Sequence, residues 1–200
     1  DSALNIAEKS GKSNLLCSAY INRGKTWLEE KKYEKSLSDL LEAIKYSNQT
    51  NDDYTTYKTR YYIAQNKIYL GLYQEALDEL EPCTYYFKKN LNKKSLGKDY
   101  EMFYLFSLMS YIDTNTKLYR QKENKPLLTQ ALDYISTNNL PQNLPYFITS
   151  EGMDAYYEKK YTISILKLKQ SLALLKDKHF HYTEKFYLGM AYWQEGNQEE

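Results

Sequence analysis

Two hundred residues carry 27 basic and 26 acidic side chains, a net charge of +1. Both signs are interspersed without a stripe or tail, which argues against a nucleic-acid-binding face, and no apolar run nears the roughly 18–20 residues of a membrane span. With only 7 Gly and 4 Pro the chain is too poor in turn residues for an all-β fold; an all-α fold of long helices and short turns is expected.

In chain order, apolar periodicity predicts helices near 2–9, 14–30, 33–47, 53–70, 73–89, 98–114, 126–138, 144–157, 161–175 and 181–195. The first, "SALNIAEKS", ends at Gly11, a C-cap signal, and reads as the second helix of an upstream repeat. The stretch 20–44, "YINRGKTWLEEKKYEKSLSDLLEAI", places Tyr20, Gly24 and Trp27 on one helix, then a Lys-Lys turn, then Tyr33, Ser36, Leu40 and Ala43 on a second.

This spacing recurs. Gly24 to Ser36, Ala64 to Ala76 and Gly152 to Ser164 are each twelve residues apart, with Tyr33, Tyr73 and Tyr161 and Leu40, Leu80 and Leu168 in matching slots. A small residue on each helix of an antiparallel pair lets the two backbones approach closely. Residues 98–119 are less regular: Ser107 and Ser110 are the candidate small residues, Pro126 suits a first helical turn, and a long loop is expected before it. Gly189 opens one more copy, whose next small residue would fall one position past Glu200.

The pattern resembles the tetratricopeptide signature W-x2-L-G-x2-Y…A-x3-F, with Arg23 where leucine is usual. The resemblance implies a right-handed superhelical array of antiparallel helix pairs over 1–200. Its parts would be the tail of an upstream repeat to about residue 16, repeats over 17–50, 51–90, 91–140 (divergent) and 141–178, and a half repeat over 179–200. Such an array is expected to be cut inside a repeat at either end, and its last helix, around Leu188, Ala191 and Tyr192, either to self-associate or to fray in isolation.

The first helix of each pair lines the ligand-facing side of such arrays. Carrying that over gives Asn22, Lys25 and Glu29; Lys58, Tyr61, Gln65 and Tyr69; Tyr104 and Leu108; Tyr146, Thr149, Met153 and Tyr156; and Phe186, Met190 and Trp193. A protein or peptide is the implied partner, held by aromatic anchors. Any one of these Tyr or Met residues could equally pack against the next helix. The two-carboxylate clamp of chaperone-tail-binding relatives is not reproduced, because Ile21, Lys25 and Tyr62 stand at its positions.

No catalytic constellation is present. His179 and His181 lack ligand-spaced neighbours, and Gly11-Lys12-Ser13 lacks the glycine five residues earlier that a P-loop needs. Cys17 and Cys83 form no metal-ligand spacing. No cofactor is expected.

The segments "EGMDAYYEKKYTISILKLKQSL" and "EKFYLGMAYWQEGNQEE" resemble the tetratricopeptide part of Bacteroidetes-type helix-turn-helix regulators, with AraC- or LuxR-type DNA-binding domains. That implies a sensor or interaction segment, in the periplasmic part of an inner-membrane protein or in the cytoplasm. A freestanding adaptor in secretion or envelope assembly is the other reading.

Overall fold

The computed structural model describes residues 2–93, 97–175 and 181–196. Among them every regular element is helical: α1 (Ser2–Ser10), α2 (Ser13–Glu29), α3 (Tyr33–Thr50), α4 (Asp53–Tyr69), α5 (Tyr73–Lys89), α6 (Gly97–Lys117), α7 (Gln121–Thr137), α8 (Leu144–Tyr157), α9 (Tyr161–Leu174) and α10 (Tyr182–Glu195), with a short 3-10 turn (Pro141–Asn143) before α8. Helices adjacent in sequence pack against each other, α2 with α3, α4 with α5 and α8 with α9 most extensively. The chain divides into two compact units, residues 1–111 and 112–200.

One turn geometry ends the first helix of every pair. Lys31, Gly71, Tyr119 and Lys159 adopt left-handed backbone, with φ of 60°, 77°, 58° and 61°. In each case the following amide bonds five residues back: Lys32 N to Trp27 O, Leu72 N to Lys67 O, Arg120 N to Asn115 O and Lys160 N to Ala155 O, at 2.8–2.9 Å. This satisfies carbonyls that the helix end leaves without partners. Gly196, φ 89°, caps α10 with the same left-handed backbone.

Counted from these residues, the twelve-residue spacing becomes a frame. The residue seven before the turn is Gly24, Ala64, Ile112, Gly152 or Gly189, and the residue five after it is Ser36, Ala76, Asn124 or Ser164. Ser36 Oγ donates to the Gly24 carbonyl at 2.6 Å, Ser164 Oγ to the Gly152 carbonyl at 2.8 Å, and Asn124 Nδ2 to the Ile112 carbonyl at 3.1 Å. Leu40, Leu80, Leu128 and Leu168, nine after the turn, are all buried. At Gly24 and Gly152 the approach is close enough that a Cβ would lie 2.9 Å from Leu40 Cγ and 2.8 Å from Leu168 Cγ.

The divergent region therefore follows the frame, against expectation in three respects. Its junction residues are Ile112 and Asn124; Ser107 and Ser110 lie elsewhere on α6, Ser107 bonding its own helix at the Tyr104 carbonyl. The turn between α6 and α7 is three residues, Leu118–Arg120, with no long loop. Pro126 sits inside α7 instead of in its first turn, since the cap at Tyr119 starts that helix at Gln121.

Within residues 1–111 the core runs through Leu40, Ala43, Ile63, Ala64, Leu80, Cys83 and Phe87 to Tyr100, Phe103 and Leu108. Within residues 112–200 it runs through Ile112, Leu128, Ala131, Phe147, Ile148, Ile165, Leu168 and Ala191.

Candidate functional site

The first-helix positions use the frame in a regular way. Within residues 1–111 and within residues 112–200, the residue six before one turn meets the residue nine before the next. Lys25 Nζ stands 5.4 Å from the Tyr62 ring centroid, Gln65 Nε2 donates to Ser110 Oγ at 2.8 Å, and Ser150 Oγ donates to Asp113 Oδ1 at 2.9 Å. Lys25 and Gln65, both expected to face a ligand, thus spend part of their polar capacity inside the protein.

In residues 1–111 the half-buried face of α4 is aromatic and cationic. Lys58 Nζ lies 5.6 Å from the Tyr54 ring and 5.7 Å from the Phe103 ring, distances at which a cation is attracted to ring faces. Tyr61 packs edge-on to Phe103 at 5.6 Å and its hydroxyl bonds Ser110, while burial pushes its pKa up to about 12. Two residues of α6 thus link them: Lys58 and Tyr61 both pack on Phe103, and Tyr61 and Gln65 both bond Ser110. Asn22 and Glu29 are exposed, and Tyr69 is exposed while stacking on Tyr33 at 4.9 Å.

Four of the expected groove residues are buried. Tyr104 and Leu108 are buried, at 1% and 0% exposure. They lie 15 and 11 residues before the turn at Tyr119, whereas Lys58 and Tyr61 lie 13 and 10 before Gly71. The residues in register on α6 are Phe106, which is exposed, and Met109, half-buried. Taking Ser107 and Ser110 as the small residues in place of Ile112 shifted the register. Thr149 and Met153 are buried as well. Thr149 Oγ1 shares a hydrogen bond with Ser171 Oγ at 2.8 Å and donates to Glu184 Oε1 at 3.0 Å, an internal tie between α8, α9 and α10. Tyr146, Phe186 and Trp193 are exposed and Met190 is half-buried. Tyr156 packs against Tyr187 at 5.5 Å.

Residues 112–200 hold two further features. A buried polar knot joins α6, α7 and α8: Asp154 Oδ1 accepts from Thr116 Oγ1 at 2.6 Å, and Asn124 Nδ2 lies 3.0 and 2.9 Å from its two oxygens. Burial pushes the carboxyls of Asp154 and Asp113 up to about 6, against the pull of these hydrogen bonds and of Ser150. Beside the knot, two adjoining hollows of about 560 and 650 Å³ lie between α7 and α9 with α8 as floor, sharing Leu132, Glu151 and Lys167. Nothing in the periodicity of the separate helices points to them.

Cys17 and Cys83 are free, buried thiols, and burial raises the pKa of Cys17 to about 11. No group of three His, Cys, Asp or Glu side chains among the described residues could hold a metal ion. His179 lies outside those residues, and His181 immediately precedes α10. No helix among the described residues is long and apolar enough to cross a membrane. No protein-family model matches the chain, and no curated protein matches it.

Proposed function

We propose that this chain is a non-catalytic, tetratricopeptide-like array that binds a protein or peptide. The observation that carries the reading is the recurrence of one helix-pair junction: left-handed turn, small or hydrogen-bonding residues twelve apart, and a buried leucine. Stacked helix pairs of this kind bury their cores between neighbours and leave extended faces for ligands. Exposed Tyr146, Phe186 and Trp193, and the aromatic-cationic face at Lys58 and Tyr61, supply large contact area at little entropic cost. Its place as the sensor or interaction segment of a bacterial transcriptional regulator rests on the resemblance of residues 151–172 and 184–200, the DNA-binding part lying outside these residues.

The test is selection of displayed peptides on the full chain, followed by titration of the enriched sequences. Tyr146→Ala and Tyr61→Ala should weaken binding at least tenfold with unchanged helical circular dichroism. A chain that enriches no peptide, or variants that lose as much helix as the core change Leu40→Ala, measured alongside, would count against the reading.

A further inference from the structure

The groove between α7 and α9 exists because α7 and α8 are held apart. Two residues link α3 to α4, but six link α7 to α8, including the 3-10 turn at Pro141. Accordingly α8 packs along α9 through Gly152, yet meets α7 over a short stretch. Leu128, Leu132, Ile135, Leu144 and Ile148 form apolar ground along the two hollows.

The charges around that ground are unequal in their commitments. Lys167 is paired with Glu151 at 2.7 Å and Lys160 with Glu158 at 2.6 Å. Asp154 is occupied by Thr116 and Asn124. Lys122 and Lys125 line the hollow nearer the start of α7, are exposed, and have no ion-pair partner among the described residues. They stand at i and i+3, on one side of the helix, where the positive end of the helix dipole adds to their field. Asp133 lines the other hollow, also without an ion-pair partner among the described residues.

We propose that this groove seats a polypeptide segment with apolar side chains along its middle and carboxylates at one end, the carboxylates over Lys122 and Lys125 and the apolar side chains over Leu128, Leu132 and Ile148. This deepens the peptide-binding reading and rests on it, while moving the seat to the second-helix side of the array. The stretch of α7 from Lys122 to Thr137 is about 22 Å long at roughly 1.5 Å per residue, room for about seven extended residues at roughly 3.3 Å each. A nucleic-acid backbone fits less well, since two uncommitted lysines beside acidic side chains neutralise few phosphates.

The probe is a fluorescent twelve-residue peptide with two glutamates followed by alternating leucine and serine, set against a copy with lysines for the glutamates. Polarisation titration of the full chain at low salt should show the acidic peptide binding at least tenfold more tightly. Lys122→Glu with Lys125→Glu, both on exposed positions, should abolish or reverse that preference. Leu132→Arg should weaken the acidic peptide at least tenfold, and amide shifts on binding should cluster at residues 128–140 and around Ile148. Equal binding of the two peptides, no binding of either, or shifts confined to α4 and α6 would overturn the proposal. Peptides selected by display that lose affinity with Tyr61→Ala but not with the Lys122/Lys125 variant would leave the peptide-binding reading standing and remove this groove from it.

Discussion

Arg23 and Asp39 form a two-pronged ion pair across α2 and α3, Nε to Oδ2 at 2.6 Å and Nη2 to Oδ1 at 2.7 Å. They lie eight residues before and eight after the left-handed turn at Lys31, and Glu151 and Lys167 hold the same positions about Lys159, with the charges exchanged and 2.7 Å between Oε2 and Nζ. These two positions thus face each other in both helix pairs and accept an ion pair of either polarity, while about Gly71 and Tyr119 they hold Ile63 with Glu79 and Tyr111 with Leu127. Arg23, a charged residue beside the close-packed Gly24, is explained by the acidic residue opposite. Its guanidinium also stands 5.6 Å from the Tyr20 ring centroid, within range of a cation–ring attraction.

The exchanged pair makes a direct prediction. Arg23→Ala strands a buried Asp39 and should cost about 1–3 kcal/mol, read from thermal or urea unfolding. Arg23→Glu should cost more through like-charge repulsion, and adding Asp39→Lys should recover most of the loss by reproducing the α8–α9 arrangement. A double variant no more stable than Arg23→Glu alone would show that the two sites are not equivalent.

Glycines in equivalent slots should respond with opposite sign. A Cβ at Gly152 would sit 2.8 Å from Leu168 Cγ, whereas one at Gly189 would meet nothing within 4 Å. Alanine in a helix interior gains roughly 1 kcal/mol over glycine, and overpacking a fitted core costs about 1–3 kcal/mol. Gly152→Ala is therefore expected to destabilise by up to about 2 kcal/mol and Gly189→Ala to stabilise by somewhat under 1 kcal/mol. Equal shifts in melting temperature for the two variants would contradict this.

These slots also show what could be read in advance. Gly24, Ala64 and Gly152 announce themselves by size, and the helix pairs around them were legible, with boundaries within three residues of those observed. Ile112 and Asn124 do not, because there a side-chain amide reaching the Ile112 carbonyl replaces smallness as the means of joining the helices. The error carried into the site, placing Tyr104 and Leu108 on the surface in place of Phe106 and Met109. Burial of Thr149 was hidden for another reason: its partner Glu184 lies 35 residues away on α10, and no local pattern reports that pairing. The α7–α9 groove depends on a linker length and on a helix that does not close up, neither of which is a property of any single helix.

The turn residues test the frame independently of packing. Lys31 and Lys159 hold φ near 60° where Gly71 does so without a Cβ. Left-handed backbone costs an L-residue roughly 1–2 kcal/mol, part of which glycine gives back through its greater freedom when unfolded. Lys31→Gly and Lys159→Gly should each stabilise by about 0.5–1 kcal/mol, and Gly71→Ala should destabilise by about 1 kcal/mol. Destabilisation by both lysine-to-glycine changes would mean that their side chains contribute more than the backbone strain costs.

The buried carboxyl of Asp154 links stability to pH. Its pKa rises from an ordinary 3.8 to about 6, through desolvation and then the nearby Asp113 and Glu158, in spite of hydrogen bonds from Thr116 and Asn124. A carboxyl whose folded pKa is raised favours folding when protonated. Its stabilising contribution is therefore full below pH 3.8 and is lost as pH climbs through about 6. At about 1.4 kcal/mol per unit, the loss is on the order of 2–3 kcal/mol. Asp154→Asn removes the titration while keeping a similar shape. Relative to the unaltered chain, the variant should gain about 2–3 kcal/mol between pH 4 and pH 7, whatever fixed offset the new amide brings. Urea unfolding of both proteins at each pH measures this difference directly, and common carboxylate effects cancel in it. Parallel stability curves across that window would show that Asp154 stays ionised in the folded chain, its three hydrogen bonds outweighing burial.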